Sequence, residues 1–213
     1  IMSFVKRLVQ LDVDSTFIQQ EAIELLAAKA GVLKEVSKIT DAAMRGELDF
    51  AQSLLARVEL LKGLPEAVFD QVRDEITLTD GASDLVKLLH SQGHVVSLVS
   101  GGFVNIMQPI VDELKIDYFK ANTLEIVDGL LTGQVLGSIV DRAAKAQALT
   151  EFALDAQVDM ENTVAIGDGA NDLEMMAIAG LSIAFNAKPV VIEAADLSIT
   201  EPTLSSVPQL MGL

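Results

Sequence analysis

The stretch Leu8-Val9-Gln10-Leu11-Asp12-Val13-Asp14-Ser15-Thr16 decides how the rest of the chain is read. The apolar run from Leu8 to Leu11 has the length of a short buried strand, and it ends in two carboxylates. Charge at the end of a buried strand is costly. Asp12 and Asp14 therefore need a turn or helix cap to satisfy them, or a ligand to hold.

Helical spacing follows at once. Glu21 to Ala30 and Val32 to Arg45 carry apolar residues at helical intervals, with Gly31 between them. Phe50 to Lys62 repeats the pattern, with Leu54, Leu55, Val58 and Leu61 as its predicted buried stripe. Gly63-Leu64-Pro65 breaks it, and a further helix is expected from Pro65 to about Glu75. Strands and helices alternate afterwards. His94 to Ser100 is β-rich and ends at Gly101-Gly102. Leu124–Val127 and Leu131–Val135 flank the hairpin signal Asp128-Gly129. A helix is expected from Arg142 to Leu154. Thr163 to Ile166 runs into Gly167-Asp168-Gly169, and Leu181–Phe185 and Asp196–Ile199 read as further strands. The pattern predicts an α/β fold, a doubly wound and mostly parallel sheet. Residues 17–76 form an inserted helical cap, and residues 1–16 and 77–213 form the core. In such sheets ligands bind beyond the carboxyl ends of the strands, where Asp12, Ser100 and Asp168 should meet.

Composition narrows the function. The chain has 213 residues, half of them hydrophobic, and a net charge of −16 from 31 acidic and 15 basic residues. That is enough for one domain, or for a core domain with a modest insertion. No basic patch stands apart, so nucleic acid is excluded as a partner. No run reaches the ~20 apolar residues of a membrane span, and the start carries no cleavage pattern. A soluble cytoplasmic protein is expected, and nothing in the pattern bears on its oligomeric state. The absence of cysteine removes disulfides, thiolate metal sites and cysteine nucleophiles. His90 and His94 have no triad partner in view and read as surface or edge residues.

Four motifs carry chemistry. The first is Asp12-Val13-Asp14-Ser15-Thr16. The second is Gly167-Asp168-Gly169-Ala170-Asn171-Asp172, a strand-to-helix turn. Together they bring four carboxylates to one sheet edge. Two like charges 4 Å apart repel by roughly 4 kcal/mol at an effective dielectric near 20, so such a cluster needs a cation. Oxygen ligands without His or Cys favour Mg²⁺. Ser100-Gly101-Gly102 offers a hydroxyl and open amides to a phosphate, although the same tripeptide also makes ordinary turns. Lys145, near a helix start, reads either as a solvated surface lysine or as the cation that a phosphate site in so acidic a chain requires.

In order and spacing these motifs resemble the haloacid dehalogenase superfamily over nearly the whole chain. Further segments resemble its phosphoserine phosphatase branch: Glu21, Gly46-Glu47-Leu48-Asp49-Phe50 with Arg57, Ala121-Asn122-x-Leu124, Asp128-Gly129-x-Leu131-Thr132-Gly133, and Ala184-Phe185-Asn186-Ala187-Lys188-Pro189. Ala146 stands after Lys145 where that family often has glycine, and none of the 213 residues reads as the family's frequent N-terminal regulatory domain.

The resemblance implies a Rossmann-like core and a hydrolase that ends serine biosynthesis. Asp12 would be the nucleophile and Asp14 the acid and base. Ser100, Gly101, Gly102 and Lys145 would bind the phosphoryl group. Mg²⁺ would sit on Asp12, the Asp14 carbonyl and Asp168, supported by Asp172. Glu21 would receive the ammonium of phosphoserine and Arg57 its carboxylate, with Met44, Phe50 and Asn171 completing the substrate site. The rival readings are another capped phosphatase or phosphotransferase of the superfamily, a receiver-like signalling module, and a binding protein without catalysis.

Overall fold

The structure is a computed structural model that describes residues 5–213. A seven-stranded sheet runs in the order β4-β3-β2-β1-β5-β6-β7. Its strands are β1 (Leu8–Asp12), β2 (Val95–Phe103), β3 (Tyr118–Val127), β4 (Leu130–Leu136), β5 (Thr163–Gly167), β6 (Leu181–Phe185) and β7 (Leu197–Ile199). Every pairing is parallel except β3 with β4. That pair is the hairpin expected at Asp128-Gly129, where both turn residues hold positive φ (51° and 76°) and Val127 pairs with Leu130.

β1 lies at the centre and is buried along its whole length. Its side chains divide by the two-residue period of a strand. Val9 and Leu11 pack toward α5 (Ala82–Ser91) and α6 (Val104–Leu114), in the cluster with Leu85, Leu89, Met107 and Val111. Leu8 packs with Leu149 of α7 (Arg142–Asp155) and Met175 of α8 (Leu173–Ile178). Gln10 and Asp12 share the face of Leu8, so β1 presents its first acid to α7.

Four helices follow β1 ahead of α5 and β2: α1 (Ala22–Ala30), α2 (Leu33–Met44), α3 (Phe50–Glu59) and α4 (Val68–Glu75). Local chemistry explains their ends. Gly31 closes α1 in the left-handed conformation (φ 72°). Asp49 and Gln52 make a reciprocal capping box at the start of α3. These helices bury a core of their own, with Leu26, Val36, Leu54, Val58 and Val72 packed against Phe103, Leu124 and Leu131 of the sheet. The hairpin tip joins this layer through Gly63 N–H to the Leu131 carbonyl and Leu131 N–H to the Leu64 carbonyl, each 2.8 Å.

One tie between the two layers arises from a proline. Pro109 sits inside α6, where it has no N–H for the carbonyl four residues back, Asn105. Arg73 of α4 donates to that Asn105 carbonyl (3.4 Å) and to the Ile106 carbonyl (3.0 Å).

Three sequence expectations are corrected. Leu55 is exposed rather than part of the α3 stripe, because burial there selects Leu54, Val58 and Leu61. His94 is buried, its Nδ1 accepting the Arg7 N–H, whereas His90 is partly exposed and paired with Asp117. β2 does not end at Gly101-Gly102 but bulges there and continues to Phe103. Among the described residues no helix is long and apolar enough to cross a membrane.

Backbone packing beside β5 gives a direct test. A Cβ on Gly180 would lie 2.0 Å from the Glu161 carbonyl oxygen. Gly180→Ala is expected to cost about 2 kcal/mol or more in chemical denaturation, whereas Leu154→Ala, at an 80% exposed position, should stay within ~0.5 kcal/mol.

Candidate active site

The carboxyl ends of β1, β2 and β5 open into one cavity of about 560 Å³. Asp12, Asp14, Gly101, Gly102, Asp168 and Asn171 line its floor, and Glu21, Met44, Phe50 and Arg57 reach it from the helical layer. Strand ends and the helical layer converge on this cavity, while the expected site residues Ser100, Lys145 and Asp172 are buried behind its lining.

The floor begins where β1 stops. Val13–Phe17 forms a wide turn whose interior is not helical: Asp14 is extended and Ser15 is left-handed at φ 58°. This turn aims Asp14 toward β2 and α1. Asp14 Oδ2 accepts the Ser100 hydroxyl at 2.9 Å, and Oδ1 accepts the Ala22 N–H at 2.7 Å, from the first residue of α1. Close approach explains the glycines. A Cβ on Gly102 would lie 2.8 Å from Asp14 Oδ2, and one on Gly101 would lie 2.8 Å from the Phe50 ring.

Lys145 lies fully buried beneath this floor, a rare setting for an ammonium. Its Nζ donates to Asp12 Oδ1 at 2.6 Å and to Asp172 Oδ1 at 2.8 Å. Burial opposes the ammonium, yet the two carboxylates hold its proton above the ordinary lysine range. The other oxygen of Asp172 accepts the backbone N–H groups of Asp168 and Gly169, both at 3.1 Å. Asp172 is thus satisfied within the protein. Asp168 is less so: Oδ1 accepts the Thr16 hydroxyl at 3.1 Å, and the residue faces the cavity.

Carboxylate oxygens of Asp12, Asp168 and Asp172 lie within 4.8 Å of one another, a grouping able to bind a metal ion. Their electrostatics call for one. Burial, then the Asp172 charge, raises Asp12 well above the usual carboxylate range, Lys145 only partly offsetting this. The same two causes push Asp168 up to about 6. Burial also raises Asp14 against the stabilising Ala22 N–H. Glu21 opens to the cavity, yet desolvation and the nearby Asp14 push it up to about 7.

The helical wall carries opposite charges. Arg57 is half-buried, its Nε donating to the Ser53 carbonyl at 3.1 Å, and it faces Glu21, Glu24 and Asp14. Desolvation lowers its pKa against the pull of those acids. Met44, read from sequence as packing over a ligand or into a core, is 74% exposed at the rim. Sequence reasoning missed Arg142, which lines the opposite wall and pairs with Glu174 at 2.6 Å. Its signal was available, since residues three apart on a helix share a face and Arg142 precedes Lys145 by three.

Comparison with known proteins places this geometry. Residues 9–177 match the description haloacid dehalogenase-like hydrolase. The chain belongs to that family. The "Phosphoserine phosphatase" of Streptomyces coelicolor is 56% identical over 98% of the chain, and that of Streptococcus thermophilus is 50% identical over 99%. The chain spans about half (51%) of the Streptomyces protein and 98% of the Streptococcus one. A solved structure titled "Phospho-Aspartyl Intermediate Analogue of Phosphoserine phosphatase" superposes with a TM-score of 0.90 at 44% identity, covering 97% of this chain and 99% of that one. A substrate-bound phosphoserine phosphatase complex gives 0.91 at 43% identity, covering 96% and 98%. The haloacid dehalogenase-like core is thus shared across the sheet and the helical layer.

The raised carboxyls set the stability profile without metal. Folded-state pKa values above the unfolded ones (3.8 for Asp168, 4.5 for Glu21) mean that the folded chain holds extra protons between about pH 4 and 7. Stability must then fall as pH rises through that window. In a chelator the melting midpoint is expected a few degrees lower at pH 7.5 than at pH 5.5, and a divalent cation should restore it at pH 7.5. A midpoint that rises with pH in chelator contradicts this electrostatic picture.

Proposed function

We propose that this chain is a Mg²⁺-dependent phosphoserine phosphatase that hydrolyses O-phospho-L-serine through an aspartyl-phosphate on Asp12. The observation that carries the reading is the pairing of two sites in one cavity. A carboxylate cluster with a buried lysine lies at its floor, and an arginine and a glutamate face it from the wall. Phosphoserine is a phosphate monoester joined to an ammonium and a carboxylate, and each group finds its counterpart. The names of the relatives support the same substrate.

In this reading residues 17–76 are a cap over a core of residues 1–16 and 77–213. The donor set fits Mg²⁺, being hard oxygens alone, with Asp12 and Asp168 open to the cavity, and the Asp14 carbonyl would be a further ligand. Asp172, saturated by Lys145 and two amides, holds the lysine and the turn instead of serving as an open ligand. When bound, the ion neutralises charge on the carboxylates and on the phosphoryl oxygens.

The side chains then divide the work. An Asp12 carboxylate oxygen attacks phosphorus and the serine oxygen leaves, splitting one difficult displacement into two. Asp14, raised by burial, gives the leaving oxygen its proton and later takes one from water. Ser100, the Gly101–Gly102 amides and Lys145 bind the phosphoryl oxygens through the transition state. Arg57 holds the carboxylate and Glu21 the ammonium, and Phe50, Met44 and Asn171 close around the short carbon skeleton. Such a substrate places the enzyme at the release of free serine, in the cytoplasm.

Two substitutions test the reading. Asp12→Asn should abolish phosphate release, leaving less than ~0.1% of the activity. Arg57→Ala should lower kcat/KM for phosphoserine by about 100-fold or more while barely changing hydrolysis of an aryl phosphate, since a charged hydrogen bond contributes roughly 1.5–3 kcal/mol or more to such recognition. Equal losses on both substrates remove the case for phosphoserine.

A further inference from the structure

The bulge in β2 creates a problem that one side chain solves. β2 pairs Val99 with Lys120 of β3 and, after a shift, Phe103 with Asn122. Ser100, Gly101 and Gly102 therefore stand opposite Ala121 alone. A bulge of this kind leaves backbone groups without ladder partners. The Gly101 carbonyl is taken by Asn122, whose Nδ2 donates to it at 2.9 Å. The Asn122 Oδ1 accepts the Val140 N–H at 2.8 Å. Asn122 is 1% exposed, so both ends of its carboxamide are committed to backbone away from water.

The two bonds reach different parts of the site. All described peptides are trans, and in a trans peptide the C=O and N–H point in opposite directions. Holding the Gly101 carbonyl toward β3 therefore aims the Gly102 N–H away from β3, where it meets Ser100 Oγ at 2.7 Å beside Asp14. The other bond fixes Val140, which precedes Asp141. Asp141 caps α7 by accepting the Ala144 N–H at 2.9 Å, and the next residue is Lys145. No role so far given to the site residues uses Asn122.

We propose that Asn122 is a positioning residue for phosphoryl transfer. Its carboxamide ties the bulge carrying Ser100–Gly102 to the segment that starts the lysine helix, and so fixes the spacing of two groups that hold phosphoryl oxygens. The proposal rests on the phosphatase reading of this cavity.

Asn122→Asp is the sharpest test. It preserves size and the acceptor for Val140 but sets an acceptor against the Gly101 carbonyl. A displacement of about 1 Å can cost ~100-fold in rate. The variant is expected to fold and to lose about 100-fold in phosphoserine turnover, mainly in kcat. It should bind inorganic phosphate about 10-fold more weakly in calorimetry with Mg²⁺. Protonation of the introduced carboxyl restores a donor, so the deficit relative to the parent should shrink as pH falls. Parental kcat and parental phosphate affinity in the folded variant overturn the proposal, as does a loss of stability alone. If Asn122→Asp does not fold, the smaller, neutral Asn122→Ser takes its place. The same loss of kcat and phosphate affinity then supports the proposal, and parental values overturn it. Phosphate binding also separates the two readings. A parent chain that binds phosphate without hydrolysing phosphoserine contradicts the proposed reaction, while weaker phosphate binding in Asn122→Asp still supports the positioning role.

Discussion

The Lys145 ammonium, held between Asp12 and Asp172 at 2.6 and 2.8 Å with no access to water, is the constraint around which the site is organised. A buried ion pair of this sort is not a source of stability, since desolvation offsets most of its attraction. Removing one partner is nevertheless severe, because it strands a charge in the interior. Neighbouring elements hold the pair in place. Gln10, two residues before Asp12 on the same face of β1, donates to the Lys145 backbone carbonyl, and Ser97 donates to Gln10. The turn after β5 gives two amides to Asp172. One cation among three clustered carboxylates leaves the floor negative when they are ionised, and the cluster is able to hold a metal ion.

The same balance bears on how so acidic a chain would receive the phosphate of the proposed substrate. At a net charge of −16 the molecule repels anions at long range. Attraction would have to be local: Arg57 lines the cavity on the helical wall and Arg142 on the opposite wall, with Lys145 buried beneath the floor. Glu21 counters Arg57, so that wall presents both signs, which suits a zwitterionic ester better than a simple phosphate. The wall stands on a hydrophobic cluster that also takes in Phe103, Leu124 and Leu131 of the sheet, and the hairpin and Arg73 tie the two layers further. In the proposed reaction the helical wall would select the substrate and the strand ends would carry phosphoryl transfer.

Much of this was legible in the sequence because it depends on short-range patterns. An apolar run ending in acids, a glycine-rich turn after a second run, and helical spacing between them locate Asp12, Asp168 and the inserted helices. Asp128-Gly129 gave the hairpin, since its two positive φ angles leave little alternative. What was not legible depends on partners distant in the chain. Leu55 and Met44 look as apolar as Leu54, and only the packed helices decide that they face outward. His94 is buried by its place at the start of β2. Pro109 argues against a helix, and α6 tolerates it because Arg73 takes up a carbonyl that it frees. Asn122 could be noted as part of a motif, but its task exists only once β2 bulges beside β3.

In the proposed reaction Asp12 accepts the phosphoryl group. Rapid acid quench of the Mg²⁺-loaded enzyme with phosphate-labelled phosphoserine, followed by peptide mapping, reads that step directly. The label should appear transiently on the peptide containing Asp12, with the lability of an acyl phosphate, and should be absent in Asp12→Asn. Steady release of phosphate with no labelled protein at any time, or with label on another side chain, would contradict it.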